Sequence, residues 1–225
     1  TILNKTFNNF EIITFILFFS FLLRCRQFYI SNSSYDLLNL NTSSYSLVLY
    51  GLYLPIGLYF ILRFLSLTHL ILNYTNIILL LGLNFTLIFS LLLIRSYKLN
   101  KLILYFASSQ FGILLIGVGL KLYNAVVFHF LTSTLSLLIL SLSFGIITNK
   151  LNNEQDIRKM GYLIFKCPSM FLFILIGFIS LLGIPYFSGF YSNQLILFQS
   201  SLINQESYFL IFTNCFLYTF IISYI

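Results

Sequence analysis

The sequence predicts an all-α membrane protein with about seven transmembrane helices, and composition is the first reason. Of its 225 residues, 59% are hydrophobic and 8% are charged, whereas soluble domains carry about 25% charged residues. The second reason is that the apolar residues form long runs. A helix needs about 20 apolar residues to cross the hydrocarbon core of a bilayer, and runs of about that length recur from end to end of the chain.

These runs are joined by short connections, so we expect one membrane domain over residues 1–225. The two longest polar connections are 31–44 and 149–166. No change in composition marks a linker, a soluble domain or an internal repeat. The predicted transmembrane segments are 10–30, 45–67, 75–95, 102–121, 124–148, 168–197 and 207–225.

The 12 basic residues, which give a net charge of +7, are divided unequally between the two ends of these segments. The positive-inside rule places the richer side in the cytoplasm or matrix. Nucleic-acid binding is not expected, because it requires basic residues on a water-facing surface. The richer side holds Arg24, Arg26, Arg95, Lys98, Lys101, Lys150, Arg158, Lys159 and Lys166, and the other holds Lys5, Arg63 and Lys121.

The predicted segment 168–197 is too long for one plain span and contains Gly183, Pro185 and Gly189. Proline cannot donate a hydrogen bond to the preceding turn and disfavours a helical residue before it. We therefore expect a broken helix, with halves at about 168–182 and 190–203. Such breaks recur at the ion path of transporters. The alternative is a structural kink without a transport role.

Few side chains in the apolar segments can carry a proton. His129 lies one turn inside segment 124–148 and is a candidate for a proton path, because its ordinary pKa is near 6.5; alternatively it is a hydrogen-bonded packing residue. Arg24 and Lys101 are weaker candidates that can extend to the membrane surface. The polar run 108–110 is expected to bond between helices. No catalytic residue is expected.

No metal or covalent cofactor site is predicted. Cys25, Cys167 and Cys215 lie far apart and match no metal-binding or disulfide spacing. Within the charged stretch NNEQDIRKMG at 152–161, Glu154 and Arg158 stand at the spacing of a helical ion pair. We expect this stretch to be a solvated loop.

Three blocks of the sequence also carry a family resemblance: LNKLILYFASSQFGILLIGVGL at 99–120, LNNEQDIRKMGYL at 151–163 and GIPYFSGFYSNQLI at 183–196. In this order and spacing they resemble the chain 5 family of NADH–ubiquinone oxidoreductase, the antiporter-like membrane subunits of respiratory complex I. The resemblance covers about residues 45–225. Its most specific part is the loop, with Asn153, Glu154, Gln155, Asp156, Arg158, Lys159 and Gly161 as signature residues.

The resemblance implies an antiporter-like helix bundle in the mitochondrial inner membrane, with loop 149–166 on the matrix side. It implies a subunit of the membrane arm that couples NADH oxidation to proton translocation, with the other membrane-arm subunits and lipid as partners. This chain would bind no cofactor, since NADH, flavin, iron–sulfur clusters and ubiquinone are bound elsewhere in such a complex. An independent cation–proton antiporter and a structural membrane protein outside complex I are the alternatives.

The sequence departs from the family at the titratable positions of the proton path. The family's second histidine and lysine in segment 124–148 fall on Ser133 and Leu137, and its broken-helix lysine falls on Asn193. A further family histidine falls on Leu49. Terminal helices of the family have no counterpart in these 225 residues, so the resemblance implies a truncated chain or a split gene. In the split form, a separate chain would supply the missing helices. We expect a largely scaffolding subunit whose own proton path is degraded.

Overall fold

The computed structural model describes residues 72–161 and 163–203, together with Tyr59 and Arg63. Predicted segments 10–30 and 207–225 lie outside the described residues, as does segment 45–67 apart from Tyr59 and Arg63, which are both helical. The helices are α1 Leu72–Ile94, α2 Leu99–Gly119, α3 Tyr123–Lys150, α4 Leu163–Lys166, α5 Pro168–Leu182 and α6 Ser188–Ile203, with a 3-10 turn at Ile157–Lys159.

The described part of the chain is a helical bundle, as predicted. Within it, three helices are long and apolar enough to cross a membrane, and they span Asn76–Ile94, Leu99–Gly119 and Tyr123–Lys150. These correspond to predicted segments 75–95, 102–121 and 124–148. Each tight connection returns the chain antiparallel, so α1, α2 and α3 run up, down and up through the bundle.

Helix α2 forms the centre of the described bundle, because nearly all of its residues are buried. It lies very close to α1, and glycines make that approach possible. A Cβ atom on Gly82 would lie 2.9 Å from the carbonyl oxygen of Gly112, and one on Gly119 would lie 2.9 Å from Cβ of Leu79. Small residues allow transmembrane helices to pack backbone against backbone, which replaces the hydrophobic driving force that lipid does not supply.

Predicted segment 168–197 is broken where the sequence indicated, into α5 and α6. Gly183 ends α5 in the left-handed conformation with φ 71°. The amide of Gly183 donates to the carbonyl of Ser180, and that of Ile184 donates to the carbonyl of Ile179, each at 3.3 Å. This is a Schellman cap. Helix α6 resumes at Ser188, slightly earlier than expected.

At the end of the bundle that carries most of the basic residues, the loop after α3 is hydrogen-bonded to the segment that precedes α2. The amide of Leu99 donates to the carbonyl of Gln155, and that of Ile157 donates to the carbonyl of Tyr97, each at 3.0 Å. The reversal after α3 uses Asn152 and Asn153 in the left-handed conformation, which asparagine tolerates better than most residues. The segment around 95–98 and the loop after α3 therefore share one end of the bundle.

The expected ion pair between Glu154 and Arg158 is wrong. Glu154 instead lies 3.7 Å from the ammonium group of Lys159, and the guanidinium of Arg158 stacks over the ring of Tyr97 at 4.0 Å from its centroid. The reason is local geometry. The chain is extended before the short 3-10 turn Ile157–Lys159, so residues four apart do not share a helical face.

Candidate functional site

The histidine of α3 joins that helix to the second half of the broken helix. His129 is 2% exposed, and its Nδ1 atom lies 3.1 Å from the hydroxyl oxygen of Ser192 in α6. Thr132, one turn along α3, places its own hydroxyl 3.0 Å from the same oxygen. His129, Thr132 and Ser192 therefore form a buried polar cluster between α3 and α6, which we call the α3–α6 cluster.

The two hydroxyl groups of this cluster have more possible hydrogen-bond acceptors nearby than they have protons to donate. Ser192 also donates to the carbonyl of Gly189 at 3.1 Å, and Thr132 to the carbonyl of His129 at 3.0 Å. Each hydroxyl has one proton. When both hydroxyls donate to these carbonyls, Nδ1 of His129 is the donor to Ser192, and the Thr132 and Ser192 oxygens touch without a hydrogen bond between them. The imidazole is then held by Nδ1, while Nε2 has no hydrogen-bond partner among the described residues.

The helix break places Asn193 next to the α3–α6 cluster. Ser192 is the fifth residue of α6, and Asn193 is the next residue. Its Nδ2 atom lies against Gly183, 3.0 Å from where a Cβ atom would stand. Its Oδ1 atom is buried without a hydrogen-bond partner in the described ranges. Asn193 therefore brings a neutral amide, and no titratable group, to the end of α5.

The other two family positions on α3 line the same interior face as His129. Ser133 is 5% exposed and Leu137 is 2% exposed, and together the three residues span about 12 Å of helix at 1.5 Å per residue. The Ser133 hydroxyl donates to the carbonyl of Phe130 at 3.1 Å, so its proton serves its own helix. Leu137 belongs to the hydrophobic core.

Beyond Leu137 the interior is packed mainly with apolar and aromatic side chains. The buried Ser141, Ser143 and Thr148 of α3 also lie there, and their hydroxyls donate to carbonyls of their own helix. The ring of Phe178 lies 5.5 Å from that of Phe106 and 6.1 Å from that of Phe144. Gly177 lets α5 approach Leu140 closely, since a Cβ atom there would lie 2.7 Å from the Leu140 side chain. We call Leu137, Leu140, Phe106, Phe144 and Phe178 the apolar plug. By the order of its residues along α3, it lies between the α3–α6 cluster and the basic end of the bundle.

The remaining candidate residues do not join this cluster. Lys101 lies in the first turn of α2 at the basic end, about 18 Å from His129 along the bundle axis by helical rise. Arg24 and Leu49 lie outside the described residues. In the polar run, the hydroxyls of Ser108 and Ser109 donate to carbonyls of their own helix, Tyr105 at 2.9 Å and Phe106 at 2.8 Å, so the expected interhelical role does not apply to these hydroxyls.

Gln110 completes the polar run and is 2% exposed. Its Oε1 atom has no hydrogen-bond partner within the described part of the chain. Buried polar atoms of this kind are commonly satisfied by ordered water.

Sequence reasoning identified His129 but missed its partners Thr132 and Ser192. The sequence gives only a weak indication of these partners. Thr132 lies one helical turn after His129, and Ser192 lies shortly after the helix break. Pairing them requires the tertiary approach of α3 to α6. In the described ranges, no three His, Cys, Asp or Glu side chains gather closely enough to hold a metal ion.

Comparison with known proteins gives the family of the chain. The model of the NADH:quinone oxidoreductase/Mrp antiporter transmembrane family matches residues 2–221. The signature loop and the broken helix described above lie inside this match. With residues 2–221 of 225 matched, the match covers nearly the whole sequence.

Similar proteins carry the name NADH-ubiquinone oxidoreductase chain 5. The protein from Patiria pectinifera is 40% identical over 104 residues, covering 46% of this chain and 16% of the relative. That from Dictyostelium discoideum is 35% identical over 141 residues, covering 63% and 21%. That from Wickerhamomyces canadensis is 39% identical over 129 residues, covering 56% and 20%.

The matched regions thus span about a fifth or less of these relatives. The family assignment depends instead on the match to nearly the full length of this chain. The chain belongs to the NADH:quinone oxidoreductase/Mrp antiporter transmembrane family.

Proposed function

We propose that this chain is a membrane-arm subunit of mitochondrial respiratory complex I, the proton-translocating NADH:ubiquinone oxidoreductase. The similarity to proteins named NADH-ubiquinone oxidoreductase chain 5 in an echinoderm, a slime mould and a yeast supports this proposal. So does the signature loop at 151–163, whose main chain is tied to the segment before α2. The chain would carry no redox centre and would bind neither NADH, flavin, iron–sulfur clusters nor ubiquinone.

We infer that the subunit lies in the mitochondrial inner membrane with loop 149–166 in the matrix. The supporting observation is that the two connections joined by main-chain hydrogen bonds are both rich in basic residues. Lys98 pairs with Asp156 across this junction as an isolated β-bridge, and Arg158 stacks on Tyr97. Basic residues concentrated at one end of a bundle favour the matrix side.

We further propose that the subunit mainly supports the assembly and that its own proton path is degraded. The observation that carries this proposal is the apolar plug between the α3–α6 cluster and the basic end. A relay needs groups that take up and release protons at each step. Leu137 has no such group, and Phe106, Phe144 and Phe178 pack where a hydrated route would need polar walls.

Two experiments test the proposal at its two levels. For membership, an affinity-tagged chain should copurify with rotenone-sensitive NADH:ubiquinone activity; a chain that purifies alone would favour an independent antiporter or a structural membrane protein. For the degraded path, Leu137→Lys with Asn193→Lys restores the family residues. We expect this double variant to raise the number of protons moved per electron in the reconstituted complex; an unchanged number would count against these two positions as the cause of the degraded path. A separate chain supplying further helices would appear in the same purification as an additional membrane protein.

A further inference from the structure

We infer that the short helix α4 and the adjacent end of α3 form a docking surface for anionic phospholipids at the basic end of the bundle. Two observations carry the inference. The outward side chains of α4 are apolar and exposed, and the basic residues at this end outnumber all the acidic residues of the chain. Neither observation depends on the proposed function.

Helix α4 presents two exposed apolar side chains beside a lysine. Ile164 and Phe165 are 54% and 82% exposed, and Lys166, which follows them, is also exposed. The bundle holds the other side of this turn. Leu163 packs against the hydrophobic core, Cys167 is buried, and the amide of Cys167 donates to the carbonyl of Leu163 at 2.9 Å. Ile164 and Phe165 are therefore held away from the core.

The depth of α4 matches the headgroup region of the bilayer. The break between α5 and α6 divides the span about equally, since the two helices have 15 and 16 residues. By helical rise, Pro168 at the start of α5 lies roughly 22 Å from the break, and half a bilayer with its headgroups measures about 20–22 Å. At this level aromatic side chains anchor at the interface, and lysines reach lipid phosphates.

The end of α3 adds a second exposed lysine at the same level. Gly177 of α5 lies against Leu140 of α3. From that contact, helical rise places Pro168 and Lys150 at similar distances toward the basic end, roughly 14 and 15 Å. Lys150 is exposed, and neither Lys150 nor Lys166 makes an ion pair with a residue of the described ranges. We call Lys150, Ile164, Phe165 and Lys166 the α4 surface.

The chain cannot neutralise this end with its own carboxylates. Seven basic residues of the richer side belong to the described chain, between Arg95 and Lys166, whereas the whole sequence has five acidic residues. One of these, Glu154, already lies 3.7 Å from the ammonium group of Lys159. Wherever the other acidic residues lie, basic charge remains, so the counter-charge comes from outside the chain. Lipid phosphates supply it at the depth where the acyl chains below them suit the apolar side chains of α4.

Lipid-specific fluorescence quenching tests the inference on the full chain in vesicles. The sequence has no tryptophan, so Phe165→Trp introduces a single reporter. In mixed vesicles of phosphatidylcholine and phosphatidylglycerol, brominated phosphatidylglycerol should quench this reporter roughly two- to fivefold more, per brominated lipid, than brominated phosphatidylcholine. Leu202→Trp is the control, because Leu202 is 72% exposed near the opposite end of the span, and both lipids should quench it equally.

Three results in these vesicles would overturn the inference. The first is equal quenching of Phe165→Trp by the two lipids. The second is quenching of Phe165→Trp by neither lipid while Leu202→Trp is quenched, because protein would then cover α4. The third is the same preference for phosphatidylglycerol at both positions, which would be an effect of net charge alone.

Removing the two lysines isolates the electrostatic contribution. Lys150→Gln with Lys166→Gln should abolish the preference of the Phe165→Trp reporter for phosphatidylglycerol. Lys121→Gln, at the opposite end of the bundle, should leave that preference unchanged. A preference that persists in the double variant would contradict the role of the α4 surface.

Photolabelling examines the same surface in the native membrane. A photoactivatable phosphatidylglycerol should label the tryptic peptide 160–166 more strongly than a photoactivatable phosphatidylcholine. Absence of label on this peptide, while other apolar peptides of the chain are labelled, would mean that protein covers α4 and would refute lipid docking. Copurification with NADH:ubiquinone activity is measured separately, so the proposed function stands or fails on its own result.

Discussion

Nδ1 of His129 lies 3.1 Å from the hydroxyl oxygen of Ser192, and this contact joins α3 to the second half of a broken helix. The contact depends on the break: Ser192 lies near the start of α6, and α6 begins after Gly183 has ended α5. A side chain that the sequence made a candidate for a proton path thus has an evident packing role in this chain.

Replacing Ser192 by alanine should loosen α6 from α3. The change removes the hydroxyl that Nδ1 of His129 contacts, and we expect a loss of about 1 kcal/mol of stability. The buried thiol of Cys167 can report unfolding through a thiol-reactive dye, in a background where Cys25 and Cys215 are serine. Ser201→Ala is the control, because its exposed hydroxyl bonds only the carbonyl of Phe198 at 2.7 Å. Equal dye reactivity of the two variants would argue against the contact.

Replacing Gly189 by alanine should be severely disruptive. A Cβ atom at this position would overlap the carbonyl oxygen of Ser180, where the two halves of the broken helix touch. Since backbone must move to relieve the overlap, we expect a loss of more than about 2 kcal/mol. Folded chain recovered from membranes is the measurement. Gly161→Ala is the control, since nothing lies within 4 Å of its Cβ position; comparable recovery of both would refute the close approach.

Gly183 and Pro185 should differ in how much they contribute to the helix break. The cap on α5 is formed by Gly183 at φ 71° and by the amides of Gly183 and Ile184. Gly183→Ala should therefore cost about 1–2 kcal/mol, the cost of a side chain in the left-handed conformation. Pro185→Ala should cost less than about 1 kcal/mol. Thermal unfolding of both variants checks this order, and the reverse order would mean that proline causes the break.

His129 should be dispensable for the coupling of NADH oxidation to proton translocation. If the apolar plug closes the path, His129→Asn in the assembled complex will lower stability without changing the number of protons moved per electron. Proteoliposomes with a pH-sensitive dye and NADH give that number. A lower ratio for His129→Asn at unchanged subunit content would show that the histidine still carries protons.

Within the described residues, the sequence predicted the helices at 75–95, 102–121 and 124–148 well, because long apolar runs leave little choice in a bilayer. It also located the break from Gly183, Pro185 and Gly189. It did not predict the pairing of Arg158 with Tyr97, because that contact needs two connections distant in sequence to meet. For the same reason Ser192 was missed as the partner of His129.

The proton-to-electron ratio of the purified, reconstituted complex that contains this chain tests most directly whether the proton path of the subunit is degraded. For a degraded path, we expect a ratio below that of a complex whose antiporter-like subunits all keep their lysines, with subunit content verified by mass spectrometry. A ratio equal to that of such a complex would mean that protons pass the apolar plug and that the path is intact.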